Sequence, residues 1–286
     1  RERTTAMNKT AKTAARKTVN VLMLVILAFL TTLPIFWCII TSLKTPQDIS
    51  AYPPKIFNFT VTWNNYKQVF AQSFLQTAGN SVVYSLLTIL ACLILGYLAA
   101  YGFERRRFPL KKLLFYIVVI GIPRSTGSSV LLIPNYLMMM KLHLTNHWYT
   151  LPLLYTAYNL PLVIWMLISG VRGLPYEIEE AARIDGCSQF YIITRIIPPV
   201  IRPSFAAAAL FAFIGAWNEF ITATVMVNGY ALKNIQMAIY DYIGFFGQEW
   251  GPLCGAATLA IIPILLVFTF LGKQLVSGLT AGAVKG

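Results

Sequence analysis

Acidic residues and histidines are scarce in this 286-residue chain. It has 10 Asp and Glu residues and 2 histidines, against 23 Lys and Arg residues. No H-E-x-x-H or G-x-S-x-G sequence occurs, and only His143 and His147 are available for acid–base chemistry at neutral pH. An enzyme buried in a membrane would need paired carboxylates or a metal cluster. The composition therefore argues against a membrane-embedded enzyme, the first rival interpretation of this chain.

Phosphate-binding loops and paired cysteines are also missing from the sequence. The closest approach to G-x-x-x-x-G-K-[ST] is Gly272-Lys273-Gln274, so the chain is not expected to cradle ATP by the P-loop route. Its cysteines are widely separated and form no C-x-x-C pair: Cys38, Cys92, Cys187 and Cys254. We interpret them as packing residues and expect the chain itself to bind no metal and no cofactor.

Apolar residues are what the sequence has in excess. They make up 57% of the chain, charged residues make up 12%, and the mean hydropathy is +0.64. These values lie outside ordinary soluble usage and predict an all-α, polytopic membrane protein. The net charge of +13 does not indicate nucleic-acid binding, because the basic residues fall between apolar runs of spanning length.

Six stretches are long enough to cross the apolar layer as helices, so we predict six transmembrane helices. The predicted spans are residues 20–43, 79–103, 113–138, 148–170, 204–228 and 253–275. A basic segment, residues 1–19, precedes the first span. That apolar run is too long for a signal peptide and contains no small-residue cleavage site, so we expect a retained helix.

The basic residues also predict the orientation of the chain. One set of alternate loops, together with the termini, holds 17 of the 23 Lys and Arg residues. By the positive-inside rule, these loops and both termini are cytoplasmic. The segment that begins at Lys44 is then an extracytoplasmic loop, and residues 172–203 form a cytoplasmic loop between the fourth and fifth spans.

Helix-breaking Gly and Pro residues are predicted to divide the loop 172–203 into two short helices. Gly173-Leu174-Pro175 should break the fourth span, with Pro175 in the first turn of a new helix. Glu177, Glu179 and Glu180 would place negative charge at its positive end. Gly186 should end it in a left-handed conformation, and Pro198-Pro199 should stop the second helix. Helices that lie on lipid prefer basic faces, so an acidic helix end favours docking on a soluble protein.

The same loop resembles the EAA loop of ABC-importer permeases. That pattern is E-A-A, three residues, G, nine residues, I, two residues and P. It is matched here by Glu180, Ala181, Ala182, Gly186, Ile196 and Pro199, while Asp185 and Pro203 agree with the form found in sugar importers. Cys187 and Ile193 depart from the pattern mildly. In such permeases the EAA loop carries the coupling helix, which docks on an ATPase, so we call residues 172–203 the coupling loop.

The resemblance extends along nearly the whole chain, which is similar to maltose-transporter-type permease subunits of the carbohydrate-uptake family. The matching segments are TSLKTPQDI, TWNNYKQVF, NSVVYS, AWNEF and GLTAGAVKG. The resemblance implies a type-I transmembrane domain over residues 20–286 in a bacterial or archaeal inner membrane. It also implies a second homologous permease, two ATPase subunits that bind ATP and Mg, an extracytoplasmic solute-binding protein and a sugar substrate. A secondary carrier or channel, or a permease for another polar solute such as a glycerol phosphate, is the alternative.

Polar and aromatic side chains within the predicted spans are the candidates for the substrate path, since polar groups are costly in lipid. They are Arg124, Asn218, Glu219, Tyr84, Tyr155 and Trp217, with Tyr158 and Trp165 as further aromatics. The polar residues could instead form a polar contact between helices, or Arg124 could pair with Glu219, and the aromatics could instead pack or anchor the helices. A guanidinium facing the path would favour a carboxylate-bearing saccharide, so an acidic sugar is our hypothesis for the substrate.

Overall fold

The computed structural model describes residues 2–123, 131–244 and 247–283, and this part of the chain is mainly helical. The helices are α1 (Glu2–Ser42), α2 (Pro46–Ile49), α3 (Asn64–Ala71), α4 (Phe74–Arg105), α5 (Lys111–Gly121), α6 (Leu132–Lys141), α7 (Thr150–Arg172), α8 (Glu177–Ile184), α9 (Gln189–Tyr191), α10 (Ile197–Val200), α11 (Arg202–Trp217), α12 (Ile221–Met226), α13 (Ile235–Tyr240) and α14 (Trp250–Ala283). A π-helical turn covers Ile192–Ile196, and a 3₁₀ turn covers Tyr230–Leu232. Strands β1 (Ile243–Gly244) and β2 (Gly247–Gln248) pair antiparallel.

Four helical stretches are long and apolar enough to cross a membrane. They are Lys17–Ser42, Phe74–Arg105, Thr150–Arg172 and Trp250–Gly272. A fifth arises if Gln189–Val200 and Arg202–Trp217, which meet at a bend of 81°, are taken as one span. The predicted third span contains α5 and α6, and residues 124–130 between them lie outside the described residues. Six spans therefore stay a prediction, while the helical, multi-pass character is confirmed.

The fifth predicted span is not one continuous helix. The sequence predicts 204–228, whereas α11 ends at Trp217 and α12 begins at Ile221. The side-chain oxygen Oε1 of Glu219 accepts a hydrogen bond from the Thr222 N–H at 2.7 Å, and the Asn234 amide donates to the Glu219 carbonyl at 2.6 Å. These partners replace part of the helical hydrogen bonding at the break, which makes the interruption tolerable.

The chain forms two compact units, of which the first comprises residues 1–71 and 242–259. Asn65 closes the loop that follows α1 in this unit. Its side-chain amide donates to the carbonyls of Ser42 at 2.8 Å and Lys44 at 2.9 Å. The Lys44 ammonium group lies 4.7 Å from the centroid of the Trp37 ring, which gives this buried cation an aromatic partner.

Asp48 fixes the next part of the same loop. Its carboxylate accepts hydrogen bonds from Lys55 Nζ at 2.6 Å and from the Thr60 N–H at 2.9 Å. The bond from Lys55, followed by that from Thr60, lowers the pKa of Asp48 to about 2. The stabilisation from these contacts is fully present above the ordinary Asp pKa, and it is lost as the pH falls from there through about 2.

The second unit comprises residues 72–241 and 260–286, and its core is formed by α4, α7 and α11. The helices approach closely where residues are small. A Cβ on Gly96 of α4 would lie 2.7 Å from Val163 Cγ1 of α7. Small residues at helix crossings are how membrane proteins gain packing contacts without a hydrophobic driving force. The coupling loop packs into this core through Leu174, Ala182, Ile192 and Ile197.

Candidate functional site

The helix α7 ends at Arg172, two residues beyond the predicted end of the fourth span, and Gly173-Leu174-Pro175 separates it from α8 as predicted. Pro175 lies two residues before α8 starts at Glu177, so its predicted place in the first turn was wrong. Glu177, Glu179 and Glu180 do occupy the first turn, as predicted.

Gly186 ends α8 in the way that the sequence predicted. Its φ is +81°, in the left-handed region that favours glycine. The Gly186 N–H donates to the Arg183 carbonyl at 3.1 Å, and the Cys187 N–H donates to the Ala182 carbonyl at 2.9 Å. This pair of bonds is the Schellman motif, which satisfies the last carbonyls of the helix. The chain then turns into α9, whose first turn is capped by the Ser188 hydroxyl, which accepts from the Tyr191 N–H at 3.2 Å.

Pro198 and Pro199 do not stop the second helix, contrary to our prediction. They lie in the first turn of α10, directly after the π-helical turn Ile192–Ile196. Proline lacks an N–H and its ring crowds the preceding helical turn, so a wider turn before it relieves the conflict. The path bends only after α10, where α11 departs at 81°.

The coupling loop has one buried face and one exposed face. Ala182 is buried and Ile196 is half-buried, whereas Glu180, Ala181, Asp185 and Pro199 are exposed. The most exposed large apolar side chains of the loop are Ile184 at 86% and Phe190 at 77% exposure. Exposed apolar residues beside an acidic helix end form a surface suited to a protein partner. We call Glu180, Ile184 and Phe190 the docking face.

The buried face is held by an ion pair that the sequence did not predict. The Glu179 side chain is 0% exposed. Its Oε1 accepts from Arg105 Nε at 2.6 Å, and its Oε2 accepts from the Tyr101 hydroxyl at 2.8 Å. Arg105 Nη2 also donates to the carbonyls of Val171 at 3.1 Å and Leu174 at 2.7 Å. The sequence indicated only negative charge at a helix end for Glu179, whereas its partner lies on α4.

Arg183 follows one turn after Glu179 and contacts both the Glu179 carboxylate and the Tyr176 hydroxyl. Its Nη2 lies 3.6 Å from Glu179 Oε2, and its Nη1 donates to the Tyr176 hydroxyl at 3.4 Å. The hydrogen bond with Tyr176 is the main cause of a raised pKa for the Arg183 guanidinium. Arg183 therefore stays charged at any physiological pH.

The aromatic candidates for the substrate path lie in the packed interior of the second unit. Tyr84, Tyr155 and Trp217 are all buried. The Tyr84 hydroxyl donates to the Leu232 carbonyl at 3.2 Å, and Trp217 Nε1 donates to the Ala260 carbonyl at 3.3 Å. Their polar atoms thus have partners within the chain, as buried polar atoms require. Contact with substrate stays a prediction for these residues.

The polar candidates are placed differently. Asn218 is exposed and Glu219 is half-buried, both at the break between α11 and α12. Arg124 lies outside the described residues, so its predicted pairing with Glu219 stays a prediction. Among the further aromatics, Trp165 is exposed and Tyr158 accepts a hydrogen bond from Asn135 at 3.0 Å.

Comparison with known families identifies the class to which this architecture belongs. Residues 92–280 match the family described as the binding-protein-dependent transport system inner membrane component. The chain belongs to this family. The matched range contains the whole coupling loop and the residues of α4 that hold it, Tyr101 and Arg105. The resemblance to permeases of binding-protein-dependent importers is therefore confirmed.

Individual relatives in this family align with this chain over most of their length. The chain is 32% identical to the sulfoquinovosyl glycerol transport system permease protein SmoH of Agrobacterium fabrum over 255 residues, 88% of each protein. It is 31% identical to the trehalose/maltose transport system permease protein MalG of Thermococcus litoralis, over 92% of this chain and 94% of that protein. It is 30% identical to the diacetylchitobiose uptake system permease protein DasC of Streptomyces coelicolor, over 88% and 91%.

A solved structure shares the fold. A bacterial ABC transporter involved in the import of the acidic polysaccharide alginate contains a chain that superimposes with a TM-score of 0.75. The superposition covers 89% of this chain and 94% of that chain, at 20% identity. This likeness shows that the two chains share a fold.

Proposed function

We propose that this protein is the membrane-embedded permease subunit of a binding-protein-dependent ABC importer that takes up a saccharide. The observation that carries the proposal is the coupling loop, which keeps its buried face in the core of the second unit and presents Glu180, Ile184 and Phe190 to a partner. Membership of the transport family supports the class of activity. The sugars in the names of the relatives support the class of solute.

The proposal includes the partners that the family resemblance implies. A second homologous permease completes the translocation path, and an extracytoplasmic binding protein delivers the solute. Two cytoplasmic subunits bind ATP with Mg and drive transport, since this sequence contains no P-loop. The chain itself contributes no catalytic residue and lies in a bacterial or archaeal inner membrane.

Uptake into proteoliposomes tests this function. We expect solute to enter only when the purified permease pair is combined with the ATPase subunits, ATP and the binding protein. ATP hydrolysis should rise when the loaded binding protein is added. Uptake that continues without ATP would instead indicate a secondary carrier or channel, and ATP hydrolysis by this chain alone would indicate an enzyme.

The proposed topology has six spans, with α5 and α6 in the third, α11 and α12 in the fifth, and both termini in the cytoplasm. In a variant whose native cysteines are replaced, Ser50→Cys and Gly229→Cys should react with an impermeant thiol reagent in intact cells. Ser188→Cys, at the start of α9, should react only after the membrane is opened. Labelling of Ser188→Cys from outside would contradict the orientation.

We propose further that the saccharide is acidic and that Arg124 faces it. A guanidinium in a predicted span needs a compensating charge, and it can donate two parallel hydrogen bonds to a carboxylate. Arg124→Gln should therefore reduce uptake of a uronate oligosaccharide by about tenfold, which corresponds to a free-energy difference of about 1.4 kcal/mol. Uptake of a neutral oligosaccharide of equal length should not change. If both activities fall alike, Arg124 has a structural partner such as Glu219 instead.

A further inference from the structure

One side of the cytoplasmic end of α4 carries three long polar side chains at intervals of four residues. They are Tyr97, Tyr101 and Arg105, which we call the α4 stripe. Residues four apart lie on the same face of a helix, so the stripe follows one line along α4. All three side chains bond to the coupling loop or to its entry from α7.

The stripe holds the coupling loop at separate points along its length. Arg105 and Tyr101 hold the two carboxylate oxygens of Glu179 in α8. Gln189 Nε2, in α9, donates to the Tyr101 hydroxyl at 2.6 Å. The Tyr97 hydroxyl donates to the Ile193 carbonyl in the π-helical turn at 2.7 Å. Both short helices and the turn are therefore tied to the same helix.

The contact of Arg105 and Tyr101 with Glu179 is energetically costly to break. The carboxylate is fully buried, and both of its oxygens accept hydrogen bonds. Separating such a pair would leave an uncompensated charge away from water, which is strongly unfavourable. Exposed surface pairs, by contrast, contribute little. A displacement of α8 is therefore passed on to α4 more readily than it breaks the contact.

The contact with α4 and the exposed Glu180 of the docking face lie on different sides of α8, at adjacent residues. Glu180 is exposed on the docking face, and Glu179 is directed at Arg105. α4 has 32 residues, a length of roughly 48 Å at 1.5 Å per residue, which exceeds the apolar thickness of a bilayer. A partner that moves α8 thus has a rigid path to the far side of the membrane.

We propose that the α4 stripe and Glu179 form a latch that transmits movement of the coupling loop to α4, and that these are positioning residues for transport. The proposal rests on the proposed function, since it assumes that a partner moves the docking face. It assigns α4 as the helix that receives the movement and Glu179 as the residue of the loop that delivers it.

The test is the amount of solute taken up per ATP hydrolysed in the reconstituted complex. Glu179→Gln alone leaves Arg105 without its buried carboxylate, so that variant is expected to fold or assemble poorly. The double variant Glu179→Gln with Arg105→Gln removes both buried charges, and it should recover assembly because the other partner of Glu179, Arg183, is 40% exposed and stays solvated. We expect its uptake per ATP to stay about tenfold below that of the wild type.

A matched control is available one residue away on α4. Glu104 pairs at 3.2 Å with Arg172, the last residue of α7 and the first of the coupling loop, but Arg172 is 67% exposed and the pair includes neither α8 nor α9. The double variant Glu104→Gln with Arg172→Gln should keep the uptake per ATP of the wild type. Tyr101→Phe removes a hydroxyl without changing any charge, and Glu179 keeps its bond from Arg105, so this variant should still assemble. We expect it to lower the ratio about threefold.

Two results would overturn the latch. One is a Glu179→Gln, Arg105→Gln complex that assembles and transports at the wild-type ratio, since the pair would then serve folding alone. The other is an unchanged ratio in Tyr101→Phe, which also settles the matter if the double variant does not assemble. If the wild-type complex itself shows no ATP-dependent uptake, the proposed function fails first, and the role in coupling fails with it.

Discussion

Gly186→Val is expected to abolish the ATP hydrolysis that the loaded binding protein stimulates, while the protein still inserts into the membrane. The φ of +81° at Gly186 is strained for any residue with a Cβ, and most strained for a β-branched one. A Cβ added there would meet no atom within 4 Å, so the penalty comes from the backbone, about 1–2 kcal/mol or more. The chain can relieve it by unwinding the end of α8, which displaces Ile184 and the docking face. Membrane insertion and ATP hydrolysis of the assembled complex measure the two effects.

Two variants control for the side chain itself. Gly173→Val places the same side chain in the same loop, but the φ of Gly173 is −70° and a Cβ would have only ordinary contacts. It should leave stimulated hydrolysis within about twofold of the wild type. Gly186→Asn should retain more activity than Gly186→Val, because asparagine tolerates the left-handed conformation. Normal turnover in Gly186→Val would remove the coupling role of this turn.

The coupling loop could be predicted because its signals are local. Gly186 ends α8 as expected, since a left-handed C-terminal residue is required whatever the rest of the fold does. Gly173-Leu174-Pro175 separates α7 from α8 for the same kind of reason. The Pro198-Pro199 prediction failed because proline is also favoured in a first helical turn, and the π-helical turn before it accommodates the rings.

The contacts that organise the site could not be predicted in this way. Glu179 and Arg105 are 74 positions apart, so their pairing depends on how α4 packs against the coupling loop. The spacing of Tyr97, Tyr101 and Arg105 by four residues was the available signal, but a polar stripe on one helix does not name its partner. The break at residues 218–220 also depends on a distant residue, Asn234, and no Gly or Pro marks it.

The sequence also does not show whether an aromatic side chain in a span faces the packed core or the substrate path. Residue type alone makes Tyr84, Tyr155 and Trp217 candidates, because aromatic rings stack on sugars. The same rings fill the core of a helical membrane protein, and periodicity cannot separate the two roles when a helix is apolar on all sides. The structure places all three in the interior of the second unit.

Phe190→Ala and Ile184→Ala are expected to weaken binding of the ATPase subunit more than any other exposed substitution in the coupling loop. Apolar side chains that are exposed in one chain and buried in a complex dominate interface energies, and truncating an aromatic one typically costs about 2 kcal/mol or more, roughly thirtyfold in Kd. Glu180→Lys should weaken the same complex, because it reverses a charge on the docking face. Titration of detergent-solubilised permease with the isolated ATPase subunit gives the three affinities.

Phe57→Ala is the matched control for the docking experiment. Phe57 is 82% exposed, similar to Phe190, but it lies in the loop that the distribution of basic residues assigns to the other side of the membrane. Its removal should leave the affinity unchanged, and Tyr101→Phe should do so too, because Tyr101 faces Glu179 and not the partner. If only Phe190→Ala, Ile184→Ala and Glu180→Lys lose affinity, the docking face binds the ATPase subunit. The contact of Tyr101 with Glu179 then acts in transmitting movement and not in binding. Wild-type affinity in all three variants would mean that the ATPase docks elsewhere, because truncation of a buried aromatic anchor cannot be silent.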